Sequence, residues 1–285
     1  MKPRIGLTMG DPRGIGPEVA QRALEVHQGK ASFVAYAPAG LYEGIADLSY
    51  RVPQGDNLPL AAIEQSAIDL REGMIDGVVT SPVNKATFEG RFPGHTELYA
   101  DRLGRRDVAM MMSGRRLRTV PVTTHLALRD VPDALSVDLY LRIGRVVADF
   151  LQASLGLERP KIAVAGLNPH AGDGGLFGDE EETILAPAVA ELRRLGIDAQ
   201  GPFSPDTVFY HAVSGRYDVV LCPYHDQALI PFKLLHFTDG VNVTLGLGKV
   251  RTSPDHGPAW DIAGQGIADP TSMVEALGLA IAMSR

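Results

Sequence analysis

The chain has 285 residues, of which 45% are hydrophobic and 21% charged, and its formal net charge is −7. This much apolar sequence can form a sizeable core, which excludes a disordered chain, and the negative charge argues against a general nucleic-acid binder. The single cysteine, Cys222, excludes an intrachain disulfide and a cysteine zinc cluster, and no signal-peptide pattern or long apolar run is present, so we expect a cytoplasmic protein without a membrane partner.

The first half of the chain alternates short apolar runs with longer amphipathic segments. Residues 4–9 predict a strand that ends in the glycine-rich loop 10–16, and a helix follows with Pro17 in its first turn, where a missing N–H costs little. Further elements follow in order: strands at 32–36, 77–80, 108–112 and 117–123, and a helix at 60–72.

The second half repeats the alternation. Helical periodicity is predicted over 131–153 and 180–195, and strands are predicted at 161–165, 219–221 and 241–245. Strands that alternate with helices indicate an α/β fold with a largely parallel sheet. No linker marks a domain boundary, so any second lobe must be interleaved with the first.

Three predicted strands are followed by loops that contain a histidine: Thr123-Thr124-His125, Asn168-Pro169-His170 and Tyr224-His225-Asp226. Ligands of open α/β sheets bind at the carboxyl ends of strands. Three imidazoles with an open position are typical of a catalytic divalent metal such as Zn²⁺ or Co²⁺. The alternative is that each is an ordinary loop or helix-capping histidine.

A second group of polar residues has the chemistry of an anion site. Lys233 and Arg251 can bind phosphate or carboxylate, Asn242 lies in a predicted strand, and the polar loop Gly94-His95-Thr96-Glu97 could complete the same pocket. The alternative for each charge is a solvated surface position. The loop at 10–16 could bind an anion or form a tight turn, and it does not match the dinucleotide fingerprint G-x-G-x-x-G.

Several motifs together resemble one known family. They are Gly-Asp-Pro-Arg-Gly-Ile-Gly-Pro-Glu at 10–18, Gly-His-Thr-Glu at 94–97, Thr-Thr-His-Leu at 123–126, Asn-Pro-His-Ala-Gly at 168–172, Tyr-His-Asp-Gln at 224–227, Gly-Val-Asn-Val-Thr-Leu-Gly at 240–246 and Arg-Thr-Ser-Pro-Asp-His-Gly at 251–257. In this order they resemble the PdxA family, the 4-hydroxythreonine-4-phosphate dehydrogenases of vitamin B6 biosynthesis. The resemblance covers nearly the whole chain.

The resemblance implies a fold like that of isocitrate and isopropylmalate dehydrogenases, with two interleaved lobes. We expect residues 1–100 plus 256–285 to form an outer α/β lobe and 101–255 to form a metal-binding and dimerisation lobe. A homodimer is implied, with the active site in the cleft near the dimer interface. NAD or NADP, a divalent metal (zinc, magnesium or cobalt) and a small phosphorylated hydroxy acid are the implied ligands.

Carried over motif by motif, the family's site residues fall on positions of this chain. The implied metal ligands are His125, His170 and His225. The implied substrate contacts are His95, Thr96, Lys233, Asn242 and Arg251. Candidates for the base that takes the hydroxyl proton are Asp226, Asp206 and Lys233, among which the sequence does not choose. No cofactor-binding residue is assigned.

The implied reaction is oxidation and decarboxylation of 4-phosphohydroxythreonine to 3-amino-2-oxopropyl phosphate. The chain departs from the family in being shorter before His95, where residues 50–61 look trimmed, and in having Lys249 and Trp260 where apolar residues are expected. The alternatives are a paralogue that oxidises phosphorylated threonate or erythronate, a metal-dependent hydrolase, and a non-catalytic binder of phosphorylated metabolites. His95-Thr96 and Arg251 favour a phosphorylated substrate over an aromatic dihydrodiol.

Overall fold

The computed structural model describes residues 2–285. They form two units: a terminal unit, built from the residues up to Arg106 together with Thr238–Arg285, and an inserted unit, Asp107–Phe237. One unit is thus interrupted by the other, as the predicted interleaving requires. The return to the terminal unit occurs at Thr238, earlier than the expected residue 256, because the last two strands pair within the terminal sheet.

The strands are β1 (Arg4–Thr8), β2 (Ser32–Tyr36), β3 (Leu48–Tyr50), β4 (Gly77–Thr80), β5 (Ala109–Ser113), β6 (Arg118–Pro121), β7 (Ile162–Ala165), β8 (Ala199–Phe203), β9 (Val219–Cys222), β10 (Val241–Leu245) and β11 (Val250–Pro254). The helices are α1 (Gly16–His27), α2 (Leu58–Arg71), α3 (His95–Arg102), α4 (Val131–Ala134), α5 (Val137–Leu155), α6 (Ala186–Arg194), α7 (Val208–Val213), α8 (His225–His236) and α9 (Thr271–Met283). None of the helices in residues 2–285 is long and apolar enough to cross a membrane.

The sheet of the terminal unit has the strand order β3-β2-β1-β4-β11-β10. All its pairs are parallel except β10 with β11, which is antiparallel. Ile5 and Leu7 of β1 are both fully buried. A strand that is buried on both faces reads as an unbroken apolar run, which is why the predictions for β1, β2 and β4 were confirmed.

The inserted unit has the strand order β5-β6-β9-β7-β8. The hairpin β5–β6 is antiparallel and the other pairs are parallel. The largely parallel sheet predicted from the sequence is therefore present in both units. Helix α8 covers this sheet with Ala228 and Phe232, which are fully buried in the core cluster of the unit.

The predicted helix at 131–153 is divided in two. The extended backbone of Leu135 ends the short helix α4, and Ser136 then caps α5 by accepting a hydrogen bond from the backbone N–H of Leu139 at 3.2 Å. Side-chain capping competes with helix continuation at serine, so periodicity alone does not detect the break.

Strand β11 was not predicted because its sequence lacks an apolar pattern, and two other segments differ from their predictions. All five residues of β11 are buried although Arg251, Thr252 and Ser253 are polar. Residues 94–97 were expected as a loop, but Gly94 precedes α3 and His95, Thr96 and Glu97 form its first turn. The helix predicted from residue 180 begins with a π-helical turn, Glu181–Leu185, before α6.

Candidate functional site

Arg251 is the central charge of a polar cluster in the terminal unit. Its side chain is 3% exposed and donates to the hydroxyl of Thr244 at 3.0 Å and to the hydroxyl of Thr80. Its Nε has no hydrogen-bond partner in the described chain. Burial lowers the pKa of Arg251 to about 10, so the guanidinium stays charged at neutral pH. Its hydrogen-bond partners are neutral hydroxyls, although the charge of Glu97 also favours the charged guanidinium, and the unpartnered Nε retains the capacity to bind an anion.

His95 and Thr96 stand at the N-terminus of α3, beside this arginine. The hydroxyl of Thr96 lies 3.5 Å from that of Thr244, and the ring of His95 packs edge-on to Phe88, with 5.2 Å between centroids. Burial, with a smaller contribution from the charge of Arg251, holds the pKa of His95 well below its ordinary value. The imidazole is therefore neutral, and its buried Nε2 has no partner in residues 2–285.

Asn242 lies on the same face of β10 as Thr244, two residues further along the strand. Asn242 pairs with Ser253, and the antiparallel register places Thr244 opposite Arg251. The side-chain oxygen of Asn242 is buried and has no partner among the described residues. Four of the five predicted substrate contacts thus belong to one polar cluster of the terminal unit, with unused hydrogen-bonding groups on several of them.

In the inserted unit, His125 and His225 form a pair. Their ring centroids are 5.5 Å apart with an angle of 39° between the planes. They follow β6 and β9, which are adjacent parallel strands, and Thr123 donates its backbone N–H and its hydroxyl to the carbonyl of Pro223 at 3.2 and 2.7 Å. The two rings line a cavity of about 180 Å³.

Asp226 orients one ring of this pair. Its carboxylate lies 2.7 Å from Nδ1 of His225. A carboxylate accepts the proton of that nitrogen, which leaves the lone pair on Nε2 as a potential ligand. A histidine with its second nitrogen hydrogen-bonded to a carboxylate is the usual arrangement of a metal-binding imidazole, and His225 has this arrangement.

The third predicted ligand, His170, lies elsewhere. It is exposed, in a 3₁₀ turn (Pro169–Gly172) after β7, and its ring centroid is 6.4 Å from that of Phe177. Residues 2–285 contain no group of three or more histidine, cysteine, aspartate or glutamate side chains placed to hold a metal ion. The chain by itself therefore brings together two of the three predicted ligands.

The remaining predicted residues are also in the inserted unit. Lys233 lies on α8, two turns beyond His225, and its ammonium is 5.8 Å from the ring centre of Phe237. Asp206 is exposed in the turn before α7 and accepts a local hydrogen bond from the hydroxyl of Ser204 at 2.6 Å.

Four residues that contact Arg251 or the loop of His170 were not predicted from the sequence: Thr80, Thr244, Glu181 and Gln227. Thr244 has a signal, since it alternates with Asn242 along β10. Glu181 is 3% exposed and bonds the loop that contains His170, which no local pattern reveals because its partner, Asn168, is 13 residues away.

Comparisons with known proteins identify the family. The family described as "pyridoxal phosphate biosynthetic protein PdxA" matches residues 25–280 of this chain. The 4-hydroxythreonine-4-phosphate dehydrogenase of Geobacter metallireducens is 43% identical over 328 aligned positions, covering 100% of this chain and 96% of that protein. The alignment is longer than the 285 residues of this chain, so the relative contains segments that this chain lacks.

Solved structures agree. The crystal structure of 4-hydroxythreonine-4-phosphate dehydrogenase from Klebsiella pneumoniae has a TM-score of 0.85 and 35% identity, covering 99% of this chain and 100% of that one. A β-decarboxylating dehydrogenase from Thermococcus kodakarensis has a TM-score of 0.60 at 16% identity, covering 97% and 82%, which confirms the predicted fold class. The conserved fold, the full-length match and the motif positions together make this chain a member of the PdxA family of pyridoxal phosphate biosynthetic proteins.

Proposed function

We propose that this chain oxidises 4-phosphohydroxythreonine with NAD or NADP, and that the product loses carbon dioxide to give 3-amino-2-oxopropyl phosphate for pyridoxal phosphate biosynthesis. The polar cluster around Arg251 carries the proposal, because a buried guanidinium that is hydrogen-bonded to hydroxyls and has an unpartnered Nε suits a phosphorylated substrate. Relatives named for this activity, at 43–44% identity over almost the whole chain, support the reaction.

Arg251 binds the substrate phosphate in this proposal. Thr96 and Asn242 supply neutral hydrogen bonds around it, and the uncharged His95 can donate or accept without repelling the anion. Binding energy from these groups, which are remote from the reacting carbon, orients the substrate.

His125 and His225 would hold a divalent metal, with His170 as the predicted third ligand. When bound, the metal supplies Lewis acidity that lowers the pKa of the substrate hydroxyl. Asp226 is already bonded to Nδ1 of His225, so its role is to orient that ring. Lys233 and Asp206 then remain as candidates for the group that takes the hydroxyl proton.

We also propose a homodimer. Ile230 and Leu234 of helix α8 and Phe237, which caps its C-terminus, are 69%, 85% and 75% exposed, and their spacing places all three on one face. Large apolar side chains clustered at such exposure are typical of a surface that another protein covers. A second copy is also one way in which an exposed His170 could meet a histidine pair.

The test is NADH formation by metal-loaded protein with 4-phosphohydroxythreonine, beside phosphorylated threonate and erythronate, with and without a chelator. Chelator-sensitive oxidation of the first compound is the expected result. Preference for one of the other two would keep the chemistry and change the pathway. If none of the three compounds gives NADH with NAD or NADPH with NADP, the result would favour a metal-dependent hydrolase.

A further inference from the structure

Three residues in the loop between β7 and the π-helical turn have an unfavourable backbone conformation. His170, Ala171 and Asp173 have φ values of 54°, 54° and 46°, in the left-handed region that side chains other than glycine rarely adopt. Three such residues within four positions require support from outside the loop. Because His170 is one of them, that support also determines where this predicted ligand lies.

A buried carboxylate provides one support. Glu181 accepts hydrogen bonds from the backbone N–H of Asn168 at 2.8 Å and from its side-chain amide at 2.9 Å, and Glu180 accepts from the same amide at 2.7 Å. The packing is tight: a Cβ at Gly166 or Gly172 would lie 3.1 or 2.9 Å from the oxygens of Glu181. These glycines allow the carboxylate to enter the loop.

Gln227 provides the second support, from the other side. It is buried on α8, two residues after His225, and its side-chain amide donates to the carbonyl of Gly166 at 2.8 Å. This single hydrogen bond joins the start of the loop that contains His170 to the helix that begins at His225. All these contacts lie within the inserted unit.

We propose that Glu181 and Gln227 are positioning residues that hold the loop 166–178, and with it His170, in one conformation relative to His225. Neither residue touches the metal in this proposal. Glu181 fixes the loop through Asn168, and Gln227 fixes its first residue to the helix of a second predicted ligand. The effect on metal binding rests on the proposed function, whereas the effect on the loop does not.

The experiment compares Glu181→Gln, Glu181→Ala and Gln227→Leu with the unaltered full-length protein. Glu181→Gln preserves the shape of the side chain but brings an amide NH₂ against that of Asn168, and Glu181→Ala removes both acceptors. The matched control is Glu182→Gln, on the exposed neighbour in the same turn. Hydrogen exchange of peptides within 166–178 is measured without metal, and Co²⁺ affinity is measured by competition with a chromophoric chelator.

We expect faster exchange confined to 166–178 and weaker Co²⁺ binding by about 10-fold or more, the usual effect of losing a residue that supports metal ligands. Both effects should be larger in Glu181→Ala than in Glu181→Gln, and the control variant should match the unaltered protein in loop exchange and Co²⁺ affinity. Lower thermal stability with unchanged loop exchange and Co²⁺ affinity would overturn the proposal. If the unaltered protein binds none of Co²⁺, Zn²⁺ and Mg²⁺, the proposed metal site is wrong, and loop exchange alone decides whether these residues hold the loop.

Discussion

Arg251 illustrates how a single residue can indicate a ligand. Removing a guanidinium from water is costly unless its donors are satisfied, and the hydroxyls of Thr244 and Thr80 leave Nε without a partner in the described chain. A phosphate oxygen would supply both the missing acceptor and the opposite charge. The cost of burial is then offset when the substrate binds.

Arg251→Ala should therefore raise the KM for 4-phosphohydroxythreonine more than it lowers kcat. A hydrogen bond to a charged group contributes about 1.5–3 kcal/mol, which corresponds to a rise of roughly 10- to 100-fold. Steady-state kinetics measures it, with Arg71→Ala, an exposed arginine paired with Glu72, as the control. Normal kinetics in Arg251→Ala would remove this residue from the substrate site.

The histidines make a second prediction at this scale. His225→Ala and His170→Ala should each abolish both retained metal and turnover, because loss of one ligand from three leaves too few for tight binding. Metal content after gel filtration is measured beside activity, with His211→Ala on α7 as a control outside the predicted site. A His170→Ala protein that is active without metal would contradict the metal assignment.

At the scale of elements, helices α1 and α9 are joined by a buried histidine. Nε2 of His27 lies 3.0 Å from the carbonyl of Val274, and Nδ1 lies 3.4 Å from the ammonium of Lys30. This arrangement fits a neutral ring that donates to the carbonyl and accepts from the lysine. Burial, assisted by the charge of Lys30, lowers the pKa of His27, although Val274 and Glu275 oppose the shift.

A lowered pKa gives this helix pair a defined pH dependence. Below the ordinary histidine pKa of about 6.5 the unfolded chain binds a proton that the folded chain does not, so the free energy of unfolding should fall as the solution is acidified. Urea denaturation at pH 7.5 and 5.5 should show a smaller loss for His27→Gln than for the unaltered protein. Equal losses would mean that His27 is not responsible; His95, also with a lowered pKa, contributes in both proteins.

Strands were predictable from the sequence where burial imposes a recognisable pattern of apolar residues. The strands at 32–36, 77–80 and 241–245 were predicted with their observed bounds. The first two contain runs of adjacent apolar residues, as strands buried on both faces do, whereas 241–245 alternates apolar residues with Asn242 and Thr244. Strand β11 and helix α8 were missed. In β11, Arg251 belongs to the polar cluster and Thr252 donates to the carbonyl of Ala276. Helix α8 contains Pro231, a residue that ordinarily breaks helices.

For the whole molecule, the exposed face of α8 predicts association. Leu234→Asp should convert the proposed homodimer into monomers, because it places a charge in the centre of an apolar contact. Sedimentation equilibrium measures the mass, and Leu195→Asp, on an exposed leucine beyond the end of α6, is the control. An unchanged mass in Leu234→Asp would show that this face is not the dimer contact.

The sequence by itself determined the alternation of strands and helices, because that alternation depends on local periodicity. It also determined the family, and with it the interleaving of the two units, because the family is carried by motifs of a few residues. It also placed His125 and His225 after predicted strands. Only the tertiary structure showed that these two rings form a pair while His170 stands apart, exposed in the loop that Glu181 holds.

The polar cluster around Arg251 likewise depends partly on sequence motifs and partly on tertiary structure. Arg251 and Asn242 could be named from their motifs, but the hydroxyl of Thr80, 171 positions from Arg251, could not. Periodicity indicates which face of a strand is buried and says nothing about which distant strand pairs with it. Parallel pairing of β4 with β11 brings these residues together, and that register depends on the packing of the whole sheet.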